Sequence, residues 1–515
     1  MILLAFLIGI YSYVILLLGI FSLLSPVPVL IATAPFAGLL VFAIFSNSEM
    51  FGFVNKLDRV EKAIICLIFA AAGVNLIGAL GPELAFDALW YHATFAKIYA
   101  LEHVIRFIPG GLFHYSLMPR LTEMLYASAF TLDLYNFSKL IHFTFGILTS
   151  LMLYRVARLY LSKKYSLLSV LIFYTNLVVM WLSITAYSDL SRAFFEVGAL
   201  YFFLRYWKES SKKMLFFSSV FLGFAICTKL ISIGTLIILI ALIALKKRLI
   251  RRKISEVLLF TAVSVGIALP WFILSFYYTA NPFYPLFSDL HLPHSPLVLL
   301  SPLVMVKTFI SIFLFSPDPI SPFYLSLIPP LIFNVKKIAK KHRVLLILSL
   351  LLYSMWYFTS QSGGARFLSS YLPLFTVLGI LIVREFKKRI LYIFIAITLS
   401  VACFNIAYRA VANAKYVPVI LGTESRQDFL MHHLNFDFGD FYDENGEISE
   451  IVGNDKVLLI NMHNLFYVDF PFTLQEWSSR DYKYILTQKS QLPEQYKNAL
   501  LIYKNDKTHV KLYKL

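Results

Sequence analysis

Residues 81–103 read GPELAFDALWYHATFAKIYALEH, a polar stretch directly behind a long apolar run. It carries Glu83, Asp87, His92, Lys97, Glu102 and His103, and His114, Arg120 and Glu123 follow before Tyr126. Most of the chain before Arg409 is apolar, so a polar segment this long is the exception. Ionisable residues beside membrane spans are costly and mark a function or an interface. The segment 81–137 is therefore read as a large loop at one membrane face, with Asp87 at its centre.

The residues around it define the fold class. Hydrophobic residues make up 59% of the 515 and charged residues 15%, against about 25% charged in a soluble domain. Apolar runs near 20 residues suit a hydrocarbon core ~30 Å thick. They fall near 1–22, 28–46, 62–80, 138–158, 165–182, 190–206, 214–228, 231–245, 255–278, 322–335, 344–360, 367–383 and 390–408. An all-α polytopic membrane protein with about thirteen spans is expected. Solid apolar runs exclude a β-barrel, whose strands alternate. The run 304–316 is short and reads as a surface or re-entrant helix. The N-terminal MILLAFLIGIYSYVILLLGIF lacks a basic start and a small-residue cleavage site, and reads as a retained span.

Charge sets the expected orientation. From Arg409 onward there are 12 basic and 14 acidic residues, against 46 and 29 in the whole chain. The net charge of +17 thus belongs to the membrane part, as loop bias and headgroup contact rather than nucleic-acid binding. Every even-numbered span exit is basic: Lys56, Arg59 and Lys62; Arg155 to Lys164; Arg205 to Lys213; KKRLIRRK at 246–253; Lys336 to Arg343; Arg384 to Arg389. These loops are read as cytoplasmic. The segments 81–137, 183–189, 279–321, 361–366 and the tail from 409 then share the opposite face. Cys66, Cys227 and Cys403 all lie in apolar runs and form no CxxC pattern, so no cysteine metal site is implied.

Within the loop, a helix is expected from about Asp87, with Tyr91 four residues on and on the same face. His92 falls roughly 140° away by the 3.6-residue period. Pro109, Gly110 and Gly111 break the chain, and a second helix is expected over 117–131. From 409 to 515 a small α/β domain is expected, with strands at 456–462, 483–487, 499–503 and 508–513 and a helix at 429–434.

Each polar candidate has two readings. Asp87 either caps its helix or acts as a base, and Glu83 lies four residues before it. Asp189 in TAYSDLSRAFF either pairs with Arg192, three residues on, or contacts a substrate or metal. Lys229 interrupts FLGFAICTKLISIG, and Arg366 follows the glycines of QSGGARFLSSYLPL. Both either anchor at the interface or hold an anion. His92, His114 and His142 have no metal-ligand spacing, and His432 and His433 read as surface residues. No GxGxxG, GxxxxGK[ST] or GxSxG occurs, which disfavours a nucleotide-driven pump.

Four pieces carry a resemblance: FDALWYH at 86–92, AYSDLSRAFF at 186–195, GFAICTKLISI at 223–233 and NPFYPLF at 281–287, with RFLSSYLPL at 366–374 a fifth. Together with the layout over 60–408, the chain resembles the GT-C superfamily of polyprenyl-phosphate-sugar-dependent membrane glycosyltransferases. The likeness is to the protein O-mannosyltransferase and aminoarabinose-transferase branch. It implies an inverting transferase of the cell envelope in the cytoplasmic (inner) membrane, with its active site and tail on the extracytoplasmic face. Its partners would be a polyprenyl-phosphate-linked sugar, membrane lipids and a lipid, glycan or protein acceptor. The family's essential acid falls on Asp87. Donor-phosphate cations map onto Lys229 and Arg366, and Glu83, Tyr91, His92 and Asp189 would shape the pocket. Relatives often carry two adjacent acids, whereas here Ala88 follows Asp87, so the second carboxylate and any divalent cation stay open. A lipid-linked-sugar flippase and an O-antigen polymerase or ligase are the alternatives. A flippase would need polar residues in mid-span and repeat symmetry.

The expected topology is testable in a cysteine-free background. A membrane-impermeant thiol reagent should label Asp437→Cys in intact cells, and Lys247→Cys only after the cytoplasmic face is opened. The reverse pattern would invert the orientation.

Overall fold

A computed structural model describes residues 1–45, 57–288, 300–315, 320–359, 364–477 and 481–515. Lys56, the stretches 289–299 and 316–319 of the 279–321 segment, and 360–363 beside Arg366 lie outside the described residues. The chain is a predominantly helical, multi-pass membrane protein with a small C-terminal sheet. Among the described residues, six helices are long and apolar enough to cross a bilayer by length and composition. The described parts of the expected apolar runs lie mainly in helices, because a span must satisfy every backbone polar group internally.

The helices also depart from the expected boundaries. The boundary between the runs 322–335 and 344–360 is a kink rather than a loop. Ile328–Thr359 consists of two helical pieces that meet at His342, whose φ/ψ is non-helical. Lys and Arg are good helix formers, so a basic stretch need not break a helix. The run at 165–182 divides into Lys163–Tyr174 and Leu177–Leu182, with the Asn176 side chain capping the second piece. Pro302–Leu314 has 13 residues, roughly 20 Å of helix and short of a full span. The helix Arg59–Leu80 starts with a reciprocal cap. Asp58 accepts from the Glu61 N–H at 2.8 Å, and Glu61 accepts from the Asp58 N–H at 3.1 Å.

Helix Asp189–Glu209 is the buried centre. It packs against Phe137–Arg158 on one side and Lys212–Thr228 on the other. Gly198 lets the latter approach so closely that a Cβ there would lie 2.1 Å from the Phe221 ring. Arg192 and Glu196 on this helix are both fully buried and pair at 2.9 Å. Arg192 also donates to the Tyr371 hydroxyl at 2.7 Å, and Thr235 donates to Glu196 at 2.6 Å.

The C-terminal sheet has the order β2-β1-β3-β5-β4, from β1 Val457–Ile460, β2 Phe472–Leu474, β3 Tyr484–Gln488, β4 Leu500–Asn505 and β5 Val510–Lys514. β2, β1 and β3 run parallel, while β5 and β4 are antiparallel. β2 went unforeseen because three residues after a proline give almost no periodic signal. The segment before β2 docks on the large loop. Buried Lys97 donates to the carbonyls of Phe466 at 2.8 Å and Val468 at 2.9 Å and pairs with Asp469 at 2.5 Å. Tyr467 donates to the Glu83 carbonyl at 2.8 Å, and the Phe466 N–H donates to Leu89 O at 3.2 Å.

Removing the Lys97 ammonium leaves two buried carbonyls unmet, worth about 1–3 kcal/mol. Lys97→Met should therefore speed hydrogen exchange and proteolysis across 462–470. Unchanged protection there would show that the docking does not depend on this contact.

Candidate functional site

The loop after helix Arg59–Leu80 is anchored before it reaches Asp87. Lys139 donates to the carbonyls of Gly81 and Pro82, both at 3.0 Å. Glu83 accepts from the Leu84 and Ala85 N–H groups at 2.8 Å and from the Ala186 N–H at 2.5 Å. Burial nevertheless raises the Glu83 pKa, with the Lys139 charge and these bonds opposing it. Its oxygens are taken up by backbone and it does not line the cavity described below. This differs from the expected pocket role: Glu83 ties the loop to the 186–189 turn.

Asp87 precedes a single π-helical turn, Ala88–His92, which continues as Ala93–Glu102. Its carboxylate makes no helix-capping bond. The i→i+5 pattern of the π-turn brings residues five apart towards one side, so Asp87 and His92 line the same cavity. An ordinary α-helix would have separated them. The expected second helix is also shorter. Pro119 holds an extended link between His114–Leu117 and Leu121–Thr131, and Arg120 stands at the junction. Arg120 stacks over Phe95 at 4.2 Å and donates to the Tyr99 hydroxyl at 2.8 Å.

Four charged side chains from distant segments then form a chain. Arg366 pairs with Asp87 at 2.8 Å and lies 3.9 Å from Asp189. Lys229 pairs with Asp189 at 3.0 Å. Arg192 does not take Asp189, as the local i, i+3 spacing suggested, because its guanidinium is engaged by Glu196 and Tyr371 deeper in the bundle. Asp189 opens its helix and Lys229 ends Lys212–Thr228, so both helix ends deliver charge to one point. His142 fixes the turn before Asp189. Its Nδ1 faces the carbonyls of Leu182 and Thr185 at 2.8 and 2.9 Å, and its Nε2 accepts the Leu190 N–H at 2.9 Å.

Aromatic rings enclose this chain. Tyr91 donates to Asp87 at 3.3 Å, and the Tyr187 hydroxyl accepts the Asp87 N–H at 3.1 Å. Arg366 sits over Tyr187 at 4.8 Å, and Lys229 over Phe367 at 4.1 Å. Burial alone would lower the Arg366 pKa, yet the Asp189 and Asp87 carboxylates hold it above the ordinary arginine value. Burial first, then the Asp87 charge, pushes the Tyr91 phenol well up, so it stays a neutral donor.

The group faces a cavity of about 730 Å³. Asp87, Tyr91, His92, Lys229 and Arg366 line it, while Asp189 stands behind the two cations. Leu230, Ile233 and Ile237 form an apolar wall, joined by Phe283 and Leu286 from the NPFYPLF segment. Glu123, which the sequence reading did not single out for the pocket, also lines the cavity and meets His92 Nδ1 at 2.5 Å. Tyr187 went unremarked too, inside the AYSDLSRAFF piece. Among the described residues, no three of His, Cys, Asp and Glu gather as metal ligands.

The family described as dolichyl-phosphate-mannose-protein mannosyltransferase matches residues 137–274, which include Asp189 and Lys229. The apo crystal structure of ArnT from Cupriavidus metallidurans is similar at a TM-score of 0.61, with 13% identity over 87% of this chain and 97% of that one. The same protein bound to undecaprenyl phosphate gives a TM-score of 0.54, with 13% identity and the same coverage, 87% and 97%. The apo oligosaccharyltransferase of Archaeoglobus fulgidus gives 0.49, with 11% identity over 84% of this chain and 70% of that one. No curated protein sequence matches.

Removing the carboxylate behind the cations should be the more disruptive change. Asp189→Asn takes the carboxylate partner from Lys229, which is mostly enclosed, a loss of at most about 3–5 kcal/mol, the cost of a broken buried pair. Thermal unfolding in detergent should place its Tm below that of Asp87→Asn; equal values would contradict the pairing. The 137–274 segment thus matches the mannosyltransferase family, and the architecture of the chain is similar to that of ArnT.

Proposed function

We propose that the protein transfers a sugar from a polyprenyl-phosphate donor to a hydroxyl-bearing acceptor on the extracytoplasmic face, with inversion at the anomeric carbon. The observation that carries this reading is the Asp87–Arg366–Asp189–Lys229 chain at the polar end of a cavity with an apolar wall. A phosphate needs cations, an isoprenoid tail needs an apolar groove, and the acceptor needs a base; this cavity offers all three. Support also comes from the fold shared with ArnT, whose structure is known with undecaprenyl phosphate bound. The basic loops of the even-numbered exits support the orientation, and the composition change after 408 supports a separate outer domain over 409–515.

Arg366 presents a planar fork suited to phosphate oxygens, and Lys229 adds a second positive charge. In the resting site Arg366 is held by Asp87. An arriving donor phosphate competes for that guanidinium and frees the carboxylate to act as a base. Asp87 then takes the acceptor hydroxyl proton. The acceptor oxygen bonds to the anomeric carbon from the face opposite the phosphate. The carbon–oxygen bond to phosphate breaks, and its electron pair leaves on the phosphate, where Arg366 and Lys229 stabilise the charge.

Asp87→Asn should lower transfer by about 10²- to 10⁴-fold, the usual contribution of a positioned base, while the protein still folds. The assay is release of lipid phosphate by purified protein from a panel of polyprenyl-phosphate sugars, with and without chelator. Full activity in the variant would refute the role of Asp87.

A further inference from the structure

His92 and Glu123 form a buried pair that the proposed transfer step leaves half used. Each is 3% exposed, and His92 Nδ1 meets Glu123 Oε1 at 2.5 Å. The second polar atom of each, His92 Nε2 and Glu123 Oε2, is buried and has no hydrogen-bond partner. Both residues line the cavity beside Asp87. Buried polar atoms in folded proteins are nearly always satisfied, so two unmet atoms in a cavity wall point to a ligand.

The chemistry of that ligand follows from the pair. In the neutral imidazole, a carboxylate against Nδ1 makes that nitrogen the donor and leaves Nε2 as a lone-pair acceptor. Glu123 Oε2 is an acceptor as well. The pair therefore offers two acceptors, which suits hydroxyl groups and repels phosphate oxygens. Phosphate has its own partners in Arg366 and Lys229. The hydroxyls bound here lie next to the reacting centre, because the His92 ring is 4.2 Å from Tyr91 and 5.4 Å from Tyr187, the two tyrosines bonded to Asp87. We propose that His92 and Glu123 bind hydroxyls of the transferred sugar and so determine which sugars are accepted. This assignment rests on the transferase reading above.

A pocket built to bond a hydroxyl rejects the analogue that lacks it, because its buried partners stay unmet. The test uses polyprenyl-phosphate-linked mannose, glucose and arabinose, each beside analogues missing one ring hydroxyl. In the wild-type protein, removing a hydroxyl that meets the pair should lower kcat/KM on the order of a hundredfold. In Glu123→Gln and His92→Phe the parent donor should lose activity while the matching deoxy donor does not. Their ratio should then fall towards one. A pair that only stabilises the fold would lower both donors alike and leave the ratio unchanged, which would overturn the proposal. So would a wild-type protein that tolerates every single deoxygenation within a few-fold, a result that needs no variant to fold. Absence of transfer from every parent sugar is a different outcome: it removes the transferase reading itself, and this assignment with it.

Discussion

Four charges that alternate in sign, Asp87, Arg366, Asp189 and Lys229, hold the site together. They come from a loop, a short turn and two helix ends that are far apart in sequence. Away from bulk water an unpaired charge is costly, so each can remain only if the next is in place. Such pairs add little to net stability, but they impose a strict geometry. The surrounding packing serves that geometry: Gly198 brings the helices of Asp189 and Lys229 together, and His142 fixes the turn that delivers Asp189.

Much of the membrane architecture was legible from residues alone, because apolar runs and basic loops are local signals. Asp87, Tyr91, His92, Lys229 and Arg366 were also identified as candidates, since polar residues stand out against such a background. What stayed hidden depended on partners distant in the chain. The Asp189–Arg192 spacing suggested a local pair, and no periodic rule could show that Glu196 and Tyr371 would claim the arginine. The π-turn that puts His92 beside Asp87 has no sequence signature of its own. Glu123 lies on a helix whose expected start was misplaced across Pro119, so its pairing with His92 could not be anticipated.

The C-terminal sheet has a part in this arrangement that composition did not indicate. Its 466–469 segment closes around Lys97, and Tyr467 reaches the Glu83 carbonyl at the base of the loop. The His463 ring stacks on Phe86 at 4.9 Å and contacts Trp90 at 4.7 Å, and Trp90 lines the cavity. The helix that carries the Asp87 carboxylate is thus braced by the bundle on one side and by the sheet on the other.

The Asp87–Arg366–Asp189–Lys229 chain holds two negative and two positive groups, so the resting pocket is close to neutral overall. A neutral pocket projects little field beyond a Debye length and cannot draw an anion from afar. A lipid-anchored ligand must instead arrive by lateral diffusion within the bilayer. Its capture should therefore vary little with ionic strength and strongly with its surface density.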